Sequence, residues 1–159
     1  MPEPLHITFV CSGNICRSPM AQNIFRTAVR NAGLGDQVRV DSCAIGPWHV
    51  GDPADERARA ELLRAGYPDQ HTAAQLGPEH DDADLFVAMD SGHLAALQRK
   101  RVGDRAMLLR GFDPDADDLE VADPYYGSPD DFVTVREQIE SAVPGLLAWV
   151  RDRLPSEVR

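Results

Sequence analysis

The chain has 159 residues, the length of one ordinary domain, and can bury a core without help from disulfides or metals. Its formal net charge is −10, with 26 acidic against 16 basic residues. That balance argues against nucleic acid or an anionic membrane surface as partner, since both reward clustered Lys and Arg, yet it leaves room for a local positive pocket that takes a small anion.

The apolar run over residues 5–10 reads as a buried strand. A helix is expected over 18–32, with Ser18 as its N-cap, Pro19 at the first helical position, and Gly33 past its end. Met20, Ile24, Ala28 and Val29 give that helix an apolar face. Residues 38–43 read as a second strand, 44–53 as a loop rich in Gly and Pro, and 54–65 as a second helix closed by Gly66 and Pro68. A third strand is expected over 84–89, a helix over 91–100 and a fourth strand over 106–109. A polar loop follows over 112–128, and a helix over 130–154 closes the chain. Pro144 inside that helix predicts a kink or a break. Four strands alternating with helices predict one α/β domain over 1–159, a parallel sheet with helices on both faces. Such sheets bind ligands beyond the carboxyl ends of their strands, and the first such end is Val10.

The next residues are Cys11-Ser12-Gly13-Asn14-Ile15-Cys16-Arg17-Ser18. Gly13 and Asn14 tolerate positive φ, so the backbone can curl there and turn successive N–H groups inward as an anion nest. The helix that follows adds the positive end of its dipole at the same place. Arg17 can clamp two oxygens of a tetrahedral anion with its planar fork. Cys11 then lies at the floor of a positive cradle, where a thiolate is the nucleophile and the Ser18 hydroxyl can donate to the sulfur. Two blander readings stand beside this one. Cys11 could be a buried residue in an ordinary strand–loop–helix turn, or Cys11 and Cys16 could be half of a zinc site, for which no second Cys pair or His pair is available.

The run from Val10 to Pro19 strongly resembles the signature of the low-molecular-weight protein tyrosine phosphatases, and Trp48-His49-Val50-Gly51 and Asp123-Pro124-Tyr125-Tyr126-Gly127 resemble its bacterial branch. The resemblance covers nearly the whole chain. It implies a three-layer, flavodoxin- or Rossmann-like fold with strand order 2-1-3-4. It also implies a metal-independent hydrolase, without cofactor, that cleaves phosphotyrosine through a cysteinyl-phosphate. Asp-Pro-x-x-Gly is by itself a common turn. The resemblance makes Asp123 the general acid that protonates the leaving phenolate and then the base for the attacking water. Cys11 is the implied nucleophile and Arg17 the clamp. Asn14, Ser42 and His71 match a hydrogen-bonded support beneath the loop, and Asp90 matches a structural aspartate.

Trp48, Tyr125 and Tyr126 are candidate walls of a slot that stacks on a phenyl ring, deep enough to favour phosphotyrosine over phosphoserine. Trp48 could equally be a lid on the core, and His49 either tunes substrate choice or is an exposed loop residue. Cys16 is either a small buried hydrophobe or, as the resemblance implies, a reversible disulfide partner of Cys11. Cys43 reads as packing. Two departures touch the loop's support: Cys43-Ala44-Ile45 follows Ser42, and Thr72-Ala73-Ala74-Gln75 carries no arginine after His71. Expected partners are phosphotyrosine proteins or peptides and free oxyanions, with no nucleic acid and no membrane. Three cysteines make no secreted framework, no leader is visible and no apolar run is long enough to span a bilayer. The expectation is a cytoplasmic monomer, with leaderless export left open. One rival is an arsenate reductase of the same fold, which needs relay cysteines that residues 79–92 lack. The other is a non-catalytic phosphotyrosine-binding module, for which Asp123 would be idle.

Overall fold

The strand nearest the chemistry is buried along nearly its whole length because helices cover both faces of the sheet, and its two polar side chains, His6 and Thr8, are buried with it. The computed structural model describes residues 3–155, and in it β1 (Leu5–Cys11) is one of the two inner strands of a four-stranded parallel sheet ordered β2-β1-β3-β4. The others are β2 (Val38–Ala44), β3 (Leu85–Ala88) and β4 (Ala106–Leu108). Alternation along β1 divides the core. Ile7, Phe9 and Cys11 face one buried cluster together with residues of α1 (Arg17–Asn31), α2 (Glu56–Arg64) and α4 (Pro129–Arg153). Val10 faces the other, with Phe86 of β3 and Leu97 of α3 (Ser91–Arg99). Helices thus cover both faces, and the order 2-1-3-4 is the one the resemblance implied.

Three local expectations need correction. The first helix begins at Arg17, not at Ser18, and Cys16 is its N-cap without a side-chain cap bond. The Ser18 hydroxyl is drawn away to Cys11 Sγ, 2.8 Å distant, so it is not free to cap. The last helix runs unbroken through Pro144. The missing N–H there removes one bond to Glu140, but Ile139 and Ala142 before it and Leu146 and Val150 after it are all buried, and that packing carries the helix through. Gly13 does not adopt positive φ; Asn14 alone in the loop does, at 60°. Gly13 is instead a matter of space, since a Cβ there would lie 2.8 Å from Cδ2 of the His49 ring. No helix among the described residues is long and apolar enough to cross a membrane.

Candidate active site

β1 ends on Cys11 itself, in register with Ala44 of β2, so the loop to α1 starts where the sheet's carboxyl edge opens. Four carbonyls of this loop are turned outward by donors of the surrounding chain. Ile45 N–H donates to the Cys11 carbonyl (3.0 Å), Gly46 N–H to that of Ser12 (3.1 Å) and Asp55 N–H to that of Ile15 (2.8 Å). His71 Nε2 meets the Asn14 carbonyl at 2.8 Å. In a trans peptide the carbonyl and the next N–H point in opposite directions, and no peptide among the described residues is cis. The N–H groups of Ser12, Gly13, Ile15 and Cys16 are therefore turned to the inner side of the curl. The Asn14 N–H donates to Cys11 Sγ at 3.3 Å.

Beneath the loop the side chain of Asn14, fully buried, holds its own strained backbone. Its amide donates to Ser18 Oγ (2.8 Å) and Ser42 Oγ (2.9 Å), and its carbonyl accepts the Ala74 N–H (3.0 Å). Ser18, having accepted from Asn14, turns its own proton to the Cys11 sulfur. Ser42 likewise passes its proton to Gln22 Oε1 at 2.6 Å. A carbonyl can only accept, so His71 Nε2 carries the hydrogen it shares with Asn14. Burial, with a smaller push from Arg26, holds the His71 pKa below its ordinary value and favours that neutral ring. The departures around Cys43 and Ala74 therefore leave the support in place, because residue 74 serves through its backbone.

Arg17 is buried and half of its fork is already committed. Both hydrogens of Nη1 are taken, one by Asp90 Oδ2 and one by the Val121 carbonyl, each at 2.8 Å. Nε and Nη2 remain for a ligand, and Nη2 stands 3.7 Å from Asp123 Oδ2 across the slot. Asp90 also caps α3 by accepting the His93 N–H at 2.9 Å. Burial works against its ionisation, but that N–H and the Arg17 guanidinium outweigh it and hold the carboxyl below the usual range. The structural role expected of Asp90 is thus specific: it fixes the guanidinium.

The slot has a volume of about 360 Å³, with Cys11 and Arg17 in its floor and Ser12, Gly13, Ile15 and Cys16 along its loop side. Trp48, His49, Asp123, Tyr125 and Tyr126 line the rest. Trp48 is 69% exposed, so it is not a lid on the core. Tyr126 is 92% exposed and meets Tyr125 edge-on at 4.9 Å between ring centroids. Asp123 Oδ1 accepts the Tyr125 N–H at 3.0 Å, which leaves Oδ2 facing Arg17. Ser18, Asn14, Ser42 and His71 lie below the slot as support. Cys16 and Cys43 are free and buried, and burial pushes both thiols up, Cys43 to about 12. Among the described residues no group of three His, Cys, Asp or Glu is arranged to hold a metal ion.

Sequence reasoning missed three contributors. Gln22 ends the Asn14–Ser42 relay. Arg57, paired with Asp55, donates to the carbonyls of Tyr125 (2.8 Å) and Gly127 (3.1 Å) and so ties the Asp123 loop to α2. His93, 5% exposed, meets Ser12 Oγ at 2.9 Å through Nε2. A basic residue two positions past an N-cap, or a histidine in the first turn of a helix, carries no pattern that announces such a contact.

His93 also gives this site a pH signature. Burial first, and then Arg17, lower its pKa to about 4, while Asp90, Asp123 and Glu120 pull the other way. An unfolded histidine titrates near 6.5, so as pH falls the unfolded chain takes the proton first. The neutral ring's contribution is complete above about 6.5 and is lost as pH drops through the folded value, a swing of about 3 kcal/mol. Denaturant unfolding from pH 7 to pH 4 should therefore show the stability advantage of the unsubstituted chain over His93→Gln shrinking by about that amount. A constant difference would contradict it.

A sulfur at the end of a parallel strand, ringed by inward amides and a half-committed guanidinium, defines a cysteine-based oxyanion site on an α/β sheet. The chain belongs to the low molecular weight phosphotyrosine protein phosphatase family, whose sequence model matches residues 6–156. It is 54% identical over 157 residues to the low molecular weight protein-tyrosine phosphatase A of Mycobacterium tuberculosis, covering 97% of this chain and 96% of that one. Among solved structures it resembles Bacillus subtilis YfkJ, with a TM-score of 0.89, 33% identity, and 97% and 99% of the two chains covered. It also resembles a variant of the arginine phosphatase YwlE, with a TM-score of 0.81, 28% identity, and 97% and 99% covered.

Proposed function

We propose that the chain is a single-domain protein tyrosine phosphatase, and that the observation carrying this is the outward anchoring of the four loop carbonyls around Cys11. Backbone N–H groups aimed at one point form a cradle for a tetrahedral dianion, and Arg17 contributes Nε and Nη2 to it. Cys11, as the thiolate that Ser18 and Asn14 face with their donors, attacks phosphorus. The bond to the phenolic oxygen breaks, and the phenolate takes a proton from Asp123 Oδ2. Water then attacks the thiophosphate, gives its proton to Asp123, and inorganic phosphate leaves with Cys11 restored as thiolate. The aromatic mouth of Trp48, Tyr125 and Tyr126 supports an aryl substrate, with His49 packed on Gly13 as a lip that tunes it. The free form in this reading is a cytoplasmic monomer, and gel filtration checks its size.

The test is hydrolysis of phosphotyrosine, phosphoserine and phosphoarginine peptides by the purified chain. Phosphotyrosine is expected to be turned over far faster than the other two. The phosphoarginine arm matters because one structural neighbour is an arginine phosphatase, and faster turnover of phosphoarginine would overturn the aryl assignment. Asp123→Asn should lower kcat on phosphotyrosine by about 10²–10³-fold. It should lower kcat much less on an aryl phosphate whose phenol is strongly acidic and leaves without a proton. Equal losses on both substrates would deny Asp123 the role of acid.

A further inference from the structure

Ser12 is exposed at the lip of the slot, and His93 is buried beneath it in the first turn of α3, 81 residues away in sequence. Ser12 Oγ and His93 Nε2 lie 2.9 Å apart, and none of the steps proposed above uses the pair. His93 Nδ1 is buried without a hydrogen-bond partner, 3.2 Å from Asp90 Oδ1. A carboxylate oxygen at that distance favours the proton on Nδ1, so Nε2 accepts the Ser12 hydroxyl proton. An apolar side chain would fill the same space without leaving a polar atom unsatisfied. What the imidazole supplies, and an apolar residue would not, is the bond to Ser12.

We propose that His93 is a positioning residue that straps the oxyanion loop to α3 through Ser12. Two contacts then fix the start of the loop from opposite sides: the Gly46 N–H holds the Ser12 carbonyl, and His93 holds the Ser12 side chain. Between them the Ser12–Gly13 peptide cannot rotate, and the Gly13 N–H stays aimed into the cradle. The same turn of α3 supplies the His93 N–H that anchors Asp90, and Asp90 anchors Arg17. Loop and guanidinium, the two halves of the anion site, are thereby referred to one rigid element. Replacing the His93 side chain leaves the backbone cap intact, so the strap can be tested apart from the Asp90–Arg17 contact.

This inference rests on the slot being an oxyanion site, and the test separates the two. Inorganic phosphate is titrated calorimetrically into the full chain and its variants. Ser12→Ala and His93→Ala should each weaken phosphate binding about three- to tenfold, the value of one lost hydrogen bond. The double variant should be no weaker than either single one, because both remove the same contact. His93→Gln, whose amide reaches the Nε2 position, should restore affinity, and His93→Asn, whose amide stops at Nδ1, should not. A double variant whose losses multiply, or an unchanged Ser12→Ala, overturns the strap. Ser12 is exposed, so its variant folds even if His93→Ala does not. If the unsubstituted chain binds no phosphate, the oxyanion reading fails. The strap is then judged by hydrogen exchange at the Gly46 amide, which donates to the Ser12 carbonyl and should quicken in both single variants; if it does not, the strap is refuted.

Discussion

Cys11→Ser is expected to reduce turnover of an aryl phosphate by about 10⁴-fold or more, with phosphate affinity kept within about threefold. The two halves of this result have separate causes. Turnover needs an ionised nucleophile, and a serine hydroxyl is not ionised near neutrality without a base beside it. The groups in contact with residue 11 are the Ser18 hydroxyl and the Asn14 N–H, and neither is a base strong enough to take a hydroxyl proton. Binding, in contrast, depends on the amides and Arg17. Their positions are set by Ile45, Gly46, Asp55, His71 and Asp90, none of which touches the sulfur. Cys16→Ser is the control. Burial, with Asp55 adding to it, keeps the Cys16 thiol protonated, so it cannot stand in as nucleophile. Its variant should retain most activity. Turnover by Cys11→Ser within about tenfold of the unsubstituted chain would remove Cys11 from the role.

The parts of this molecule that were legible in its sequence are those with a short-range signal. β1 announced itself because a strand buried on both faces is rich in apolar and β-branched residues, and Leu5, Ile7, Thr8, Phe9 and Val10 supply them despite His6. The loop did so because Gly-Asn between a strand and Ser-Pro meets several demands of an anion nest within eight residues. Where two local rules competed for one side chain, the reading failed. Ser18 has the composition of an N-cap, yet a thiol seven residues earlier claims its hydroxyl. Gly13 reads as a residue chosen for φ, yet the constraint on it is the His49 ring, placed there by the separate loop after β2. Pro144 reads as a break because the rule for it counts one backbone bond and not the buried side chains on either side. The long-range contacts had no signal at all. Ser12 with His93, Arg17 with Val121, and Arg57 with Tyr125 join residues 81, 104 and 68 positions apart, and only the sheet order brings them together.

Arg17→Lys should lower kcat/KM by about 10³-fold or more, although the charge is kept. An ammonium is a point donor, and the site asks for a plane. Nη1 of the native side chain already satisfies Asp90 and the Val121 carbonyl, and the oxyanion is left to Nε and Nη2, in a different part of the same rigid fork. A lysine that turns to Asp90 and Val121 leaves the anion unclamped. One that turns to the anion abandons a half-buried carboxylate and a buried carbonyl. Either way a transition state with charge spread over equatorial oxygens loses its bidentate partner, and phosphate in the ground state loses affinity with it. Arg17→Ala separates the catalytic from the structural share. It should be as inactive as the lysine variant but less stable by about 1–3 kcal/mol, because Asp90 then has no cation and the Val121 carbonyl no donor. Steady-state kinetics on an aryl phosphate together with denaturant melts of the three chains read both shares. A lysine variant active to within tenfold would mean that charge alone suffices, and that the commitment of Nη1 to Asp90 and Val121 has no bearing on how the anion is held.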